Sequence, residues 1–209
     1  MQRGLTMIFL LAAALLSGCA STIRSEVTTF HEWPAQMANK SYVFERSKEQ
    51  DASLEYRSYE NLVRAELKRL GFTEAGVQTV PMLTVRIDYQ TAERDVRVTE
   101  PVVINPGWGA PYPYYGRGWP GRHFPFYDPF WYNPPVVAYR DASFRVYGRQ
   151  LHVLIARMRD AKKLYDVTVK NDSRNPTTAN VMPYLVRSAF ADFPGPSGVA
   201  RTVTLERQE

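Results

Sequence analysis

Apolar and polar positions alternate in several parts of this chain in a way that predicts β-strands. Apolar residues at every second position within 83–89, 165–169 and 203–205 predict strands with one buried and one exposed face. Residues 41–45 predict another strand. Residues 151–156 are apolar on both faces, which is typical of a strand in the centre of a sheet.

The apolar parity changes within the strand-like segment 81–98. Val96 and Val98 carry the apolar character there, on the parity opposite to that of Ile87. A shift of one residue turns every following side chain to the other face of a sheet. We therefore expect a bulge or a break between Thr91 and Asp95.

A first helix is predicted between two clear end signals. Asp51 or Ser53 can cap its amino end, and Gly71 favours the left-handed conformation that closes a helix. Apolar residues at three- and four-residue spacing form the stripe expected to face the core: Tyr59, Leu62, Val63, Leu67 and Leu70. Charged residues, with Glu60 among them, are expected on the opposite side. We predict that Leu62, Leu67, Leu185 and Val85 are buried together.

A second helix begins near Asn180, with Pro183 tolerated in its first turn. The last strand follows it and begins near Val199. This order of elements predicts an α/β (α+β-like) two-layer sandwich, in which two helices pack on one face of a mixed β-sheet. The other sheet face is expected to be wet or covered by a long loop.

That long loop is a Pro/Gly/aromatic-rich insertion at residues 101–135, carried by a predicted hairpin. Its thirty-five residues hold nine prolines, five glycines and eleven aromatic residues. Proline lacks the N–H that a sheet ladder needs, and glycine weakens a helix. Five of its aromatic residues form a candidate binding surface: Tyr112, Tyr114, Tyr115, Trp119 and Trp131. The alternative is a low-complexity excursion that packs on its own sheet.

The amino terminus has the pattern of a secretory signal peptide at residues 1–18. Arg3 precedes a twelve-residue apolar run, Leu5–Leu16, which is too short for an ordinary membrane span. The four residues Leu16-Ser17-Gly18-Cys19 resemble the lipobox of bacterial lipoproteins, which implies lipidation of Cys19. An ordinary signal peptide with a chance cysteine is the alternative.

Composition favours one domain after this leader. We expect a lipidated tether with an edge strand at 19–40 and a single α/β domain at 41–206. Cys19 is the only cysteine, so a lipidated protein would have no disulfide and no thiolate chemistry. The formal net charge is +5, but acidic and basic residues alternate and form no basic run, so no nucleic-acid partner is expected.

These features together resemble a family of bacterial lipoproteins called domain of unknown function 4136. The resemblance rests on the lipobox, the strand Tyr42-Val43-Phe44, the stretch 59–63 leading to Leu70-Gly71-Phe72, and the strand 83–89. It covers most of residues 27–206, and the Pro/aromatic segment is a variable excursion. It implies fold and location, because the family has no established catalytic residues to carry over.

Catalytic and metal-binding motifs are not convincing in this sequence. Residues 116–121 match G-x-G-x-x-G, but the strand and helix that a dinucleotide site needs are not predicted around them. His31, His123 and His152 lack metal-ligand spacing, and His152 is expected to be a packed histidine. Asp88 and Asp95 are acid/base candidates, with Asp88 expected to be a solvated carboxylate. The sequence therefore predicts no enzyme, no cofactor and no metal.

Three functions remain as hypotheses. The first is a non-enzymatic cell-envelope lipoprotein, a protein-interaction or assembly module on the periplasmic side of the outer membrane. The second is a glycan- or peptidoglycan-binding module that uses residues 105–133. The third is an unrecognised hydrolase, which has least support. By resemblance to the sorting rule of enteric bacteria, Ser21 shortly after the anchored cysteine, in place of aspartate, indicates the outer membrane.

Overall fold

The computed structural model describes residues 21–76, 78–104 and 136–207. These described residues divide into two compact units, one within residues 1–94 and 146–209 and the other within residues 95–145. Within the described residues, no helix is both long enough and apolar enough to cross a bilayer.

Seven strands form one open, mixed sheet. Their bounds are β1 Thr22–His31, β2 Ser41–Phe44, β3 Thr73–Glu74, β4 Leu83–Ile104, β5 Val136–Arg157, β6 Lys163–Ser173 and β7 Ala200–Glu206. The strand order is β3-β2-β4-β5-β6-β1-β7. β2 is parallel to β3 and to β4, whereas β1 is antiparallel to β6 and to β7, and β5 is antiparallel to β6.

Three helices accompany the sheet: α1 Lys48–Ala52, α2 Leu54–Arg69 and α3 Thr178–Ala189. The side chain of Ser47 caps α1, and that of Ser53 caps α2 by accepting from the Tyr56 N–H at 3.2 Å. α2 ends as its sequence predicts, because Gly71 has a φ of 78° and the Phe72 N–H returns to the Leu67 carbonyl at 3.0 Å.

The hydrophobic core joins α2, α3 and every second residue of the strands. Leu67, Leu185 and Val85 are buried in it as expected, whereas Leu62 is only partly buried against it. The alternation holds in the first part of β4, where Leu83, Val85 and Ile87 are buried, and in β6, where Tyr165, Val167 and Val169 are buried. The intervening residues of these strands are polar and more exposed, as the period of two requires.

The strand expected within residues 19–40 is present, but the prediction that it lies at an edge of the sheet is wrong. β1 is ten residues long, starts at Thr22, and lies between β6 and β7. Ser25, Val27 and Thr29 are buried, which the sequence obscures because two of these residues are hydroxylated. The segment expected to be a tether, 19–40, therefore contributes an interior strand to the sheet.

Three local predictions about the helices also need correction. Asp51 lies inside the extra helix α1, so Ser53 is the cap of α2. Glu60 is buried, with 2% of its surface exposed, although its neighbours in sequence predict the outer side. Pro183 lies beyond the first turn of α3, because that helix begins at Thr178 rather than at Asn180.

β4 runs unbroken from Leu83 to Ile104, so the expected break between Thr91 and Asp95 is absent, whereas its alternative, a bulge, stays a prediction. The change in parity coincides with the passage into the second unit, which begins at Asp95. Within that unit, Arg145 donates to Asp95 at 3.3 Å and Thr99 donates to Asp141 at 2.9 Å. The last strand begins at Ala200, and Val199 before it is exposed.

Candidate interaction surfaces

The polar side of the central strands carries a connected set of charged residues. His152 of β5 bonds through Nε2 to Asp166 Oδ1 of β6 at 2.7 Å, and its Nδ1 lies 3.8 Å from Asp88 Oδ2 of β4. Gln50 of α1 donates to Asp88 at 3.4 Å, and Lys163 lies 3.5 Å from Asp166. His152 is therefore a partly exposed bridge between two strands rather than the packed histidine expected from sequence.

The geometry of His152 bears on the acid/base interpretation of Asp88. In a hydrolytic relay, one ring nitrogen contacts an acid and the other contacts the nucleophile. Here both ring nitrogens face carboxylates, Nε2 that of Asp166 and Nδ1 that of Asp88. Asp95, the other acid/base candidate, pairs with Arg145 in the second unit.

Metal binding by these groups is not favoured by their arrangement. The two carboxylates lie at opposite nitrogens of the His152 ring and do not converge on a shared point. In residues 21–76, 78–104 and 136–207, no group of three or more His, Cys, Asp or Glu side chains is placed to hold a metal ion. His31 bonds instead to the Gly195 carbonyl at 2.8 Å.

An exposed apolar groove lies where β4 begins and β5 ends; we call it the methionine groove. It is lined by Val80, Pro81, Met82, Arg157, Met158 and Arg159 and has a volume of about 320 Å³. Val80, Met82 and Met158 are 81%, 45% and 50% exposed. The Met158 N–H donates to the Met82 carbonyl at 2.9 Å, which brings the two methionines side by side.

The sequence analysis did not identify this groove. Met82 has the same parity as Thr84 and Arg86, so the alternation of β4 directs it to the polar side of the sheet. An apolar residue at a position where the alternation predicts a polar one is the signal that could have revealed the site. The neighbouring residue in space, Met158, is distant in sequence, so the pair itself is created only by folding.

The rim of the methionine groove is basic. Arg157 pairs with Asp160 at 3.0 Å, and the side chain of Arg159 is 80% exposed, 3.8 Å from the same carboxylate. The Lys162 backbone N–H holds the pKa of Asp160 below its usual range, so that Asp160 is anionic at neutral pH. One carboxylate thus serves two guanidinium groups, which leaves positive charge at the rim.

A second ion pair lies farther along the same turn. Lys162 Nζ bonds to Glu32 at 2.6 Å, and this hydrogen bond lowers the pKa of the Glu32 carboxyl. Lys162 is therefore occupied within the chain, which leaves Arg159 as the more exposed cation beside the groove.

The aromatic surface predicted from sequence falls in a different part of the chain. Tyr112, Tyr114, Tyr115, Trp119 and Trp131 lie outside the described residues, as does Cys19. The hypotheses attached to these residues stay predictions.

Comparisons with known proteins give a family and a distant structural likeness. The family model described as domain of unknown function (DUF4136) matches residues 26–195. No curated protein matches the chain. A solved structure described as a PDZ domain protein from Parabacteroides distasonis ATCC 8503 is 14% identical, with a TM-score of 0.47; the alignment covers 92% of this chain and 41% of that one.

Proposed function

The chain belongs to the DUF4136 family, and we propose that it is a non-enzymatic, lipid-anchored module of the bacterial cell envelope that docks a protein partner. The lipobox supports anchoring through Cys19, and Ala20 directly after it, in place of an aspartate, supports the periplasmic side of the outer membrane. A mature bacterial lipoprotein carries more than the single acyl chain that gives only marginal membrane binding.

The proposed architecture of the module is a two-layer sandwich, with α2 and α3 on one face of the sheet. It is supported by the core, which contains the stripes of both helices, one parity of residues from β4 and, apart from Leu164, one parity of residues from β6. In this arrangement the opposite face, with Asp88, His152 and Asp166, stays open. The 101–135 excursion would leave the sheet between β4 and β5.

The observation that carries the docking proposal is the methionine groove. Three exposed apolar residues meet there, whereas exposed apolar residues of soluble proteins are usually scattered singly. Methionine and arginine are both enriched at protein interfaces. Because methionine is unbranched and polarizable, Met82 and Met158 can adapt to the shape of an inserted side chain.

The chemistry of the groove favours a partner segment that combines apolar and acidic side chains. An apolar side chain would enter between Met82 and Met158, and a carboxylate beside it would pair with Arg159. A guanidinium fork binds a carboxylate in a fixed, two-pronged geometry, which would set the orientation of the segment.

Methyl NMR of the mature protein with ¹³C-labelled methionine tests this docking. The probe is a short peptide of alternating leucine and aspartate, compared with its leucine–lysine counterpart. We expect the signals of Met82 and Met158 to shift with the acidic peptide only. Met182, which is buried in α3, is the internal reference. Equal shifts with both peptides, or none with either, would exclude the proposed occupant.

Two variants distinguish binding at the methionine groove from nonspecific binding to exposed apolar residues. Met158→Ser and Arg159→Glu should each lower the affinity for the acidic peptide by about tenfold. This is the expected effect of losing one buried apolar contact or one charge pair. Leu54→Ser removes an apolar residue that is even more exposed than Met158, at the start of α2 and far from the groove in sequence, and it should leave binding unchanged.

Glycan binding by the aromatic segment is the second candidate, and it rests on composition. Eleven aromatic rings within residues 101–135 offer faces on which sugars stack. The test is retention on purified peptidoglycan. Deleting residues 105–133 should abolish retention if the segment is the binding site, whereas unchanged retention would leave this candidate without support.

A further inference from the structure

The two edges of the sheet differ greatly in what they offer to another strand. At one edge, β3 is only two residues long. At the other, β7 runs for seven residues, and no described strand lies on its outer side. β7 contains no proline and no lysine, two of the devices that protect an edge from pairing, and its charged residues are Arg201 and Glu206.

The register of β7 against β1 shows which of its backbone groups point outward. Arg207 N–H donates to the Ser21 carbonyl at 2.8 Å, and Ser21 and Arg207 continue the Thr22–Glu206 register. Hydrogen-bonded pairs alternate with non-bonded pairs in an antiparallel ladder. The odd-numbered residues of β7 therefore bond to β1. The even-numbered residues direct their N–H and C=O groups to the free side: Ala200, Thr202, Thr204 and Glu206.

The other side of β1 agrees with this assignment. Glu32 N–H donates to the Leu164 carbonyl at 3.0 Å, in the register that pairs β1 with β6. The even-numbered residues of β1 thus form backbone hydrogen bonds with β6, and its odd-numbered residues form them with β7. Thr202 and Thr204 are also exposed.

We propose that the free edge of β7 pairs with β7 of a second copy of this chain, antiparallel and centred on Val203. Centring on Val203 overlaps all seven residues of both strands. It places Thr202 opposite Thr204 as a hydrogen-bonded pair, with the outward groups of each facing those of the other. Val203 then faces its own equivalent as a non-bonded pair.

The side chains of β7 are compatible with their own copy in this register. Facing threonines form a favourable cross-strand pair. Glu206 lies opposite Ala200, so the two acidic residues do not meet. Arg201 is already paired with Asp192 within its own chain and lies opposite Leu205. A shift of the centre to Thr204 would instead bring Arg201 against Arg207, two like charges.

Cysteine crosslinking of the full-length protein in membranes tests the register. Residues in a non-bonded antiparallel pair have Cα atoms about 4.5 Å apart, within reach of a disulfide. Val203→Cys should therefore form a crosslinked dimer under mild oxidation. Thr204→Cys is the matched control, because its two copies would be about 8 Å apart, beyond disulfide reach, although Thr204 is the more exposed residue.

Backbone variants test the hydrogen bonds independently of cysteine chemistry. Thr202→Pro removes an outward N–H while leaving the ladder to β1 intact, and it should weaken dimerisation about tenfold or more, since two hydrogen bonds are lost per dimer. Thr202→Val keeps the N–H and should dimerise normally. Circular dichroism checks that both variants fold.

Three results would overturn this inference. The first is a monomer at all concentrations in sedimentation of the detergent-purified chain. The second is equal crosslinking of the Val203→Cys and Thr204→Cys variants. The third is unchanged dimerisation of Thr202→Pro. None of them bears on the methionine groove, which lies at β4 and β5 in the middle of the strand order.

Discussion

Arg46 donates to both carboxylate oxygens of Glu60, at 2.5 Å and 2.7 Å, and thereby joins the chain after β2 to the middle of α2. Arg64 adds a second donor to Glu60 at 2.7 Å and lies over the Phe44 ring, 5.2 Å from its centre. The buried charge is thus satisfied by two guanidinium groups, each of which remains partly in solvent.

Glu60→Gln should destabilise the protein, because a neutral amide cannot balance two guanidinium groups in a partly buried site. We expect a loss of about 3 kcal/mol in the free energy of unfolding, the lower end for breaking a buried ion pair. Urea unfolding gives the measurement. Glu66→Gln on the same helix is the control, since its partner Arg69 is exposed, and it should cost less than about 1 kcal/mol. Equal losses would contradict the role of the network.

The helix stripe makes a second prediction. Leu67→Ala removes a fully buried side chain of α2 and should cost about 2–5 kcal/mol, including the cavity left behind. Leu54→Ala in the same helix removes an exposed leucine and should change stability by less than about 0.5 kcal/mol. A small loss for Leu67→Ala would mean that the stripe does not face the core.

Buried tyrosines predict a loss of stability at high pH. Burial raises the pKa of Tyr42, Tyr56 and Tyr165 to about 12. Above pH 10 the unfolded chain releases these protons while the folded protein retains them, so ionisation favours unfolding. The free energy of unfolding should be unaffected by these groups below about pH 9 and should fall as pH rises toward 12.

Tyr165→Phe is the internal test of this pH dependence. Tyr165 donates a hydrogen bond to the Ala189 carbonyl at 2.6 Å, so the variant should lose about 1 kcal/mol at pH 8. Because phenylalanine cannot ionise, the difference from the native chain should shrink as pH approaches 12. A difference that stays constant would show that Tyr165 does not contribute to the alkaline transition.

Lipid anchoring at Cys19 predicts a change in location. Cys19→Ala should abolish lipidation and leave a soluble or unprocessed species, measured by membrane fractionation and by the mass of the amino-terminal peptide. Cell fractions of the native chain are the comparison. If the variant is processed normally and still fractionates with membranes, the lipobox interpretation is wrong.

Elements with local signals could be predicted from the sequence. Gly71 ends α2 because a left-handed residue is needed there, and Ser53, one of the two caps that the sequence offered, begins it because its hydroxyl can accept from a backbone N–H within one turn. The alternation of β4 and β6 follows from the period of two, which belongs to the strand itself. The family resemblance rests on these same local patterns and is confirmed by the match over residues 26–195.

Contacts between residues that are distant in the sequence could not be predicted and are known from the folded chain. Glu60 can be buried because Arg46, which lies outside α2, binds its carboxylate. The spacing of residues within the helix does not predict that pair. Met82 and Met158 form a groove because β4 and β5 are neighbours in the sheet. β1 is an interior strand because β7, from the far end of the sequence, pairs with its outer side. Strand order depends on contacts between distant segments, and local periodicity is the same for a strand at an edge as for one inside the sheet.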